Sequence, residues 1–541
     1  MSAGIPASAR LWRQVLAMVA AAGLFALPAL WNGGPLFYPD TPTYLRGAEA
    51  GLLRALPPAW QPQPWLAAPT EAPASASASE RTLPALSSLE DKTVLAGRSV
   101  YYGALLLMAQ AAGGLGGVVA FQALALAWVL HLLLVGRWGL PRGIFLGVAA
   151  GLAVLTPAGL FAGLLMPDLF APLAILAAVA LMVEGWRLSR GERAGLCGLL
   201  VLAVCSHASH LAVVALLLPL ALALRRWRPG WEGLWAPGAG RVAACLAVGL
   251  AAEFAFQQAV VRTVGAPPLR LPHLTAHLVD LGPGTDYLRS ACAQQPPADF
   301  AACRYTDRYP VPWTDFLFST DPGRGVFALA DATTRRQLSQ EQLALAMAVL
   351  RHDPLGTVGG LLADVTRQLA LVRVDIWGLG PRELAMYSGR VPATVLSELQ
   401  ASRGATAPHW QSVASTASVA TVLAAVGFGL ARALGLAWPR RRLPHRFAQF
   451  AALAVAGVVA NAAVCATLAG PLDRFQARVG WLLPLLAVCA LALLHHRRAS
   501  DPAPTTAAGP RRAGGRHRSA ATGLGRPAPQ DVAPPLTGGA S

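Results

Sequence analysis

The chain alternates long apolar runs with short basic punctuation. Leu11–Leu30 is the first run. Others cover 118–135, 143–163, a stretch ending near Val183, 241–261, 411–431, 447–468 and 479–495. The run from Ala194 to Leu224 is interrupted by Ser206-His207-Ala208-Ser209-His210 and is flanked by arginines on both sides. Basic flanks imply an even number of crossings, so this run reads as two short spans meeting at the histidines on the outer face, or alternatively as one re-entrant pair of half-helices. A helix needs about 20 residues to cross roughly 30 Å of hydrocarbon. The pattern therefore predicts an all-α polytopic membrane protein of about 10 transmembrane helices.

The basic clusters orient it. Arg137 with Arg142, Arg187 with Arg190 and Arg193, Arg225 with Arg226, and Arg440 to Arg442 all fall between alternate runs. Cationic loops stay in the cytoplasm, so both termini are expected there. Arg10 and Arg13 start the first run, and no clean cleavage site follows, which favours a retained helix over a signal peptide. The sequence then divides into an N-terminal membrane module (1–261) with an outer loop at 31–99, an extracytoplasmic loop domain (262–410), C-terminal membrane helices (411–495) and a disordered basic cytoplasmic tail (496–541). Within the outer loop, 65–89 is rich in Ala, Pro and Ser and reads as a flexible insertion. The cluster Gly113–Gly117 separates an interfacial helix, 100–112, from the next span. Leu338–Leu350 and Leu355–Val374 are amphipathic pieces of the outer domain.

Composition agrees. Of 541 residues, 55% are hydrophobic and only 13% charged, where a soluble protein carries about a quarter charged. The net charge of +17 follows the topology rather than forming a nucleic-acid footprint. Lys92 is the single lysine and alanine abounds, which suggests a GC-rich bacterial genome and hence the bacterial inner membrane. Five cysteines lie in apolar runs. Cys292 and Cys303 lie in the polar outer segment, where a disulfide and two free thiols are both open.

Candidate chemistry collects at the outer helix ends. Tyr38-Pro39-Asp40-Thr41-Pro42 holds an acid between two prolines, with Tyr44 nearby. Met166-Pro167-Asp168 holds a second, which could instead cap the following helix. A carboxylate this close to hydrocarbon is costly unless paired, solvated or functional. Arg474 and Arg478 are one helical turn apart on the outer side, against the charge bias, and suit a phosphate. Arg98 is a second cation. His207 and His210 could bind a metal or phosphate, or satisfy backbone groups at a helix break. Trp60, Trp65, Trp313 and Trp377 read as interfacial anchors or sugar-stacking surfaces. No GxxxxGK[ST], GxSxG or zinc-type cysteine pair is present.

This layout resembles the GT-C superfamily of membrane glycosyltransferases, which includes protein mannosyltransferases and the lipid A aminoarabinose transferase. Tyr38-Pro39-Asp40 matches the acidic motif of the first outer loop. Gly97-Arg98-Ser99-Val100-Tyr101-Tyr102-Gly103 matches the aromatic helix after it. Met166-Pro167-Asp168 matches the second acid, and 262–410 the large outer loop. The first loop lacks the Asp-Glu pair, and the 65–90 insertion is a departure. The resemblance implies transfer of a sugar from a polyprenyl-phosphate donor to a glycan, lipid or protein acceptor, with membrane lipids as the only other partners and no nucleic acid. Asp40 would be the catalytic base and Asp168 would orient the acceptor or sugar. Arg474, Arg478, Arg98, His207, His210, Tyr38, Tyr44 and Tyr102 would contact substrate or lipid phosphate. Two carboxylates would suit Mg²⁺ or Mn²⁺, if any metal. The rival expectation is a transporter or flippase for a lipid-linked glycan. That would require midplane charges and related halves, which the sequence does not show.

Overall fold

The computed structural model describes residues 7–55, 57, 65, 92–227, 236–295, 298–374, 379–407, 409–438 and 441–496. The expected insertion, the basic tail beyond 496, Trp60 and Trp377 lie outside these residues. The described chain is helical throughout. Its first part comprises α1 (Ala7–Asn32), α2 (Thr41–Ala55), α3 (Val100–Ala111), α4 (Gly116–His131), α5 (Arg142–Leu155), α6 (Ala158–Gly163) and α7 (Phe170–Val183). Next come α8 (Arg190–Ser206), α9 (Ala208–Trp227) and α10 (Ala236–Val264). The segment after α10 carries α11 (His273–Leu281), α12 (Pro283–Cys292), α13 (Trp313–Phe318), α14 (Ala332–His352) and α15 (Pro354–Ala370). It continues through α16 (Pro381–Ala385), α17 (Ala393–Ala401) and α18 (Arg403–Thr406). The chain closes with α19 (Trp410–Ala433), α20 (His445–Leu468), α21 (Asp473–Gly480) and α22 (Leu482–His496).

Seven helices among the described residues are long and apolar enough to cross a membrane: α1, α4 with its continuation to Arg137, α9, α10, α19, α20, and α21 with α22. This is a multi-pass membrane protein. The other expected spans are shorter or broken, for local reasons. Thr156-Pro157 splits 143–163 into α5 and α6, because proline cannot continue the hydrogen-bond ladder. His207 is extended (φ −160°, ψ 135°) and separates α8 from α9. α7 is buried on every face. Its alanines at 171, 174, 177, 178 and 180 let neighbouring backbones close around it, so it forms the axis of the bundle.

The expected loop domain over 262–410 divides in two. Leu269 through Val349 build their own apolar cluster, around Phe316, Phe327 and Leu338. Cys292 and Cys303 are joined by a disulfide at its edge. Leu379, Tyr387, Val391 and Leu399 pack instead into the main core. The segment 379–407 is thus a cover over the membrane module, and the lobe proper is 269–349.

α2 and α3 pack at backbone contact. A Cβ on Gly103 would fall 2.2 Å from the Tyr44 carbonyl oxygen and 2.8 Å from Ala48 Cβ. Neither backbone nor Cβ can yield cheaply. Gly103→Ala is therefore expected to cost about 1–3 kcal/mol through overpacking, read as a lower thermal midpoint of the purified protein. An unchanged midpoint would show that the two helices can separate without penalty.

Candidate active site at the outer helix ends

Two short backbone pairings assemble the site. Leu36 N–H donates to Gly163 O (2.9 Å) and Leu165 N–H donates to Leu36 O (2.9 Å). This parallel bridge lays the loop after α1 along the segment that leads into Asp168. Thr41 locks it further, its hydroxyl donating to Leu165 O (3.0 Å) while its Oγ1 accepts from Tyr38 N–H (3.1 Å). A second bridge joins Val94-Leu95-Ala96 to Leu269. It fastens the stretch before Arg98 to the 269–349 lobe. Ser99 then caps α3 with its hydroxyl oxygen and donates to Cys205 O (2.6 Å).

Each acid meets an arginine. Arg98 Nη2 lies 2.6 Å from Asp40 Oδ1. Arg474 grips Asp168 in a two-pronged pair, Nε to Oδ1 at 3.0 Å and Nη2 to Oδ2 at 2.8 Å. The Arg474 guanidinium also lies 3.9 Å from the centroid of the Tyr38 ring. Tyr38 belongs to the Asp40 loop, so it bridges the two ion pairs. Burial raises the Tyr38 pKa, with Arg474 opposing, so its hydroxyl stays neutral. Burial disfavours the Arg98 charge, but Asp40 and Tyr44 together outweigh this and the net shift is upward.

The acids differ in access. The Asp40 side chain is 24% exposed and that of Asp168 1%. Asp168 commits both oxygens to Arg474 rather than to amides at the start of α7. Arg478, also buried, extends this interior network. Its Nη2 donates to Asn461 Oδ1 (3.0 Å) and Ser209 Oγ (3.1 Å), tying α21 to α20 and α9. Tyr44 and Tyr102 stack edge to face at 5.2 Å in the core beneath. Tyr102 is fully buried and lies 3.3 Å from Gln122 Oε1.

The histidines answer local needs. Ser209 N–H donates to His207 Nδ1 (3.1 Å), and His210 Nδ1 faces Ala203 O (3.0 Å) across the helix break. Among the described residues no three His, Cys, Asp or Glu side chains converge to hold a metal. Both Asp168 oxygens are engaged by the Arg474 guanidinium.

Sequence reading missed Arg390, in the cover segment. Its Nη2 donates to Pro39 O and Thr43 Oγ1, each at 3.2 Å. Burial lowers its pKa, with Asp40 opposing. No local pattern marks a single arginine in a polar loop. Tyr387 beside it packs edge-on against Phe37 (6.4 Å).

His273, at the start of α11, lies close enough to feel both charges of the Arg98–Asp40 pair. Burial first and Arg98 second push its pKa down to about 4, with Asp40 opposing. An unfolded histidine titrates near 6.5. Between these values the unfolded chain takes up a proton that the folded chain refuses, so acidification favours unfolding. The thermal midpoint is expected to fall as pH drops from about 6.5 to 4, and less steeply in His273→Gln. Parallel profiles for the two proteins would exclude His273 as the source.

No protein-family model matches this chain, and no curated protein or solved structure is significantly similar to it.

Proposed function

We propose that the chain is an integral membrane glycosyltransferase of the GT-C type, moving a sugar from a polyprenyl-phosphate donor to an acceptor hydroxyl at the periplasmic face of a bacterial inner membrane, with ten crossings and both termini inside. The observation that carries this reading is a partly exposed carboxylate, Asp40, beside partly exposed Arg98 and Arg390, backed by the buried Asp168–Arg474 pair. One acid can accept a proton and two cations can receive an anion, while the second acid is fixed in place.

In this reading Asp40 takes the proton of the acceptor hydroxyl as its oxygen attacks the anomeric carbon. The bond from that carbon to the phosphate oxygen breaks, and negative charge grows on the phosphate. Protonation of Asp40 removes the counter-charge of Arg98, which turns its guanidinium toward the departing phosphate. Arg390 supplies a second fork for the same oxygens. Asp168 and Arg474 act as a strut that holds Tyr38 and so the Asp40 loop. Arg474 therefore serves position more than phosphate binding.

The test uses purified protein in liposomes with a radiolabelled polyprenyl-phosphate sugar and a membrane extract as acceptor source. Cleavage should release polyprenyl phosphate and move label to a new product. Movement of intact donor between leaflets without cleavage would replace the enzyme with a transporter.

A further inference from the structure

α15, which forms a hairpin with α14, has its polarity reversed. At 3.6 residues per turn, Leu355, Val358, Leu362 and Leu369 fall within about 60° of one another on α15, and Thr357, Asp364 and Gln368 within about 40° on another face. In a water-exposed lobe the first set should face in and the second out. Here Leu355 is 86% and Leu362 64% exposed, while Thr357 and Gln368 are buried. Asp364 turns inward to His277 (Oδ2 to Nε2, 2.8 Å). Leu343 and Met347 continue the exposed apolar face onto α14. α19, a helix of membrane-crossing length, has the same inversion: it buries Ser418 and exposes Val413, Leu423 and Leu430.

We propose that the α14–α15 hairpin rests its leucine face in the acyl region of the leaflet that borders the Asp40–Asp168 site. Lipid is the occupant because the face continues the membrane-crossing wall. α15 packs along α20 and is fastened to the segment that follows it. Gln368 Nε2 donates to Leu472 O, and Leu472 N–H donates to Gln368 Oε1, each at 2.9 Å. Nearby Leu468, at the end of α20, is exposed. α15 itself spans about 26 Å, short of a crossing, so it lies in the interface. Exposed Arg351, at the turn just before Leu355, can reach lipid phosphates along its stem. The element one residue beyond Leu472 is α21, which carries Arg474. The site's strut is thus anchored next to a lipid-borne element.

The experiment places a fluorescent amino acid at Leu362, at Leu355 and, as a reference, at Gln337 on the polar start of α14, in full-length protein in phosphatidylcholine liposomes. Brominated phosphatidylcholine should quench positions 355 and 362 several-fold more than 337, and aqueous iodide should do the reverse. Iodide reaching 362 as readily as 337 would overturn the proposal. Shielding of 355 and 362 from both quenchers would also overturn it, and would point to a second protein surface. The readout needs no enzymatic activity, so it stands or falls apart from the glycosyltransferase reading.

Discussion

On the proposed glycosyltransferase reading, Asp40→Asn is expected to lower sugar transfer by about 10²–10⁴-fold, the contribution of a positioned general base, while the protein still folds and accumulates. The substitution keeps shape and removes only the charge and basicity. Its ion pair with Arg98 is largely buried, the side chains being 19% and 24% exposed, so its loss costs more than the about 1 kcal/mol of a surface pair and less than the about 3–5 kcal/mol of a sealed one. The measurement is transfer per unit of folded protein in membranes, beside a melting curve. Activity within a few-fold of the parent would remove Asp40 as the base. A collapsed melting curve would make it structural instead.

The opposite signature is expected at the second pair. Arg474→Gln or Asp168→Asn leaves one charge buried without its partner, and such a break costs about 3–5 kcal/mol. Both residues are nearly sealed from solvent, and Arg478, at 3.8 Å from Asp168, compensates weakly. The double variant Asp168→Asn with Arg474→Gln removes both charges together. It should be no less stable than either single variant, giving a coupling energy of at least about 3 kcal/mol in a double-mutant cycle. Thermal stability of the four proteins in detergent measures this directly. Additive losses would mean that the two side chains do not depend on each other.

The apolar runs and their basic punctuation were readable because bilayer thickness sets a length and topology sets a charge bias. The break at Thr156-Pro157 was not, since Leu164, Leu165 and Met166 keep hydropathy high through the turn. Asp40, Asp168 and Arg474 stood out as charges at the edge of hydrocarbon. Their pairing did not, because Asp168 and Arg474 are 306 positions apart and no local signal spans that distance. Arg390 sits in a polar loop where one more arginine is unremarked. Leu355–Val374 showed helical periodicity, but periodicity alone does not say which face turns inward. That depends on whether the surroundings are water or lipid.

The Asp168–Arg474 pair also sets a clock on biosynthesis. Asp168 leaves the ribosome 306 residues before its partner, which at 5–20 residues per second is a delay of about 15–60 s. During that interval a carboxylate destined for a dry interior has no guanidinium. It must wait protonated, or in contact with water or the insertion machinery, at the end of an apolar α7 that later helices have yet to cover. Completion of the site is therefore one of the last events of assembly, and a chain truncated before α21 carries an acid it cannot bury.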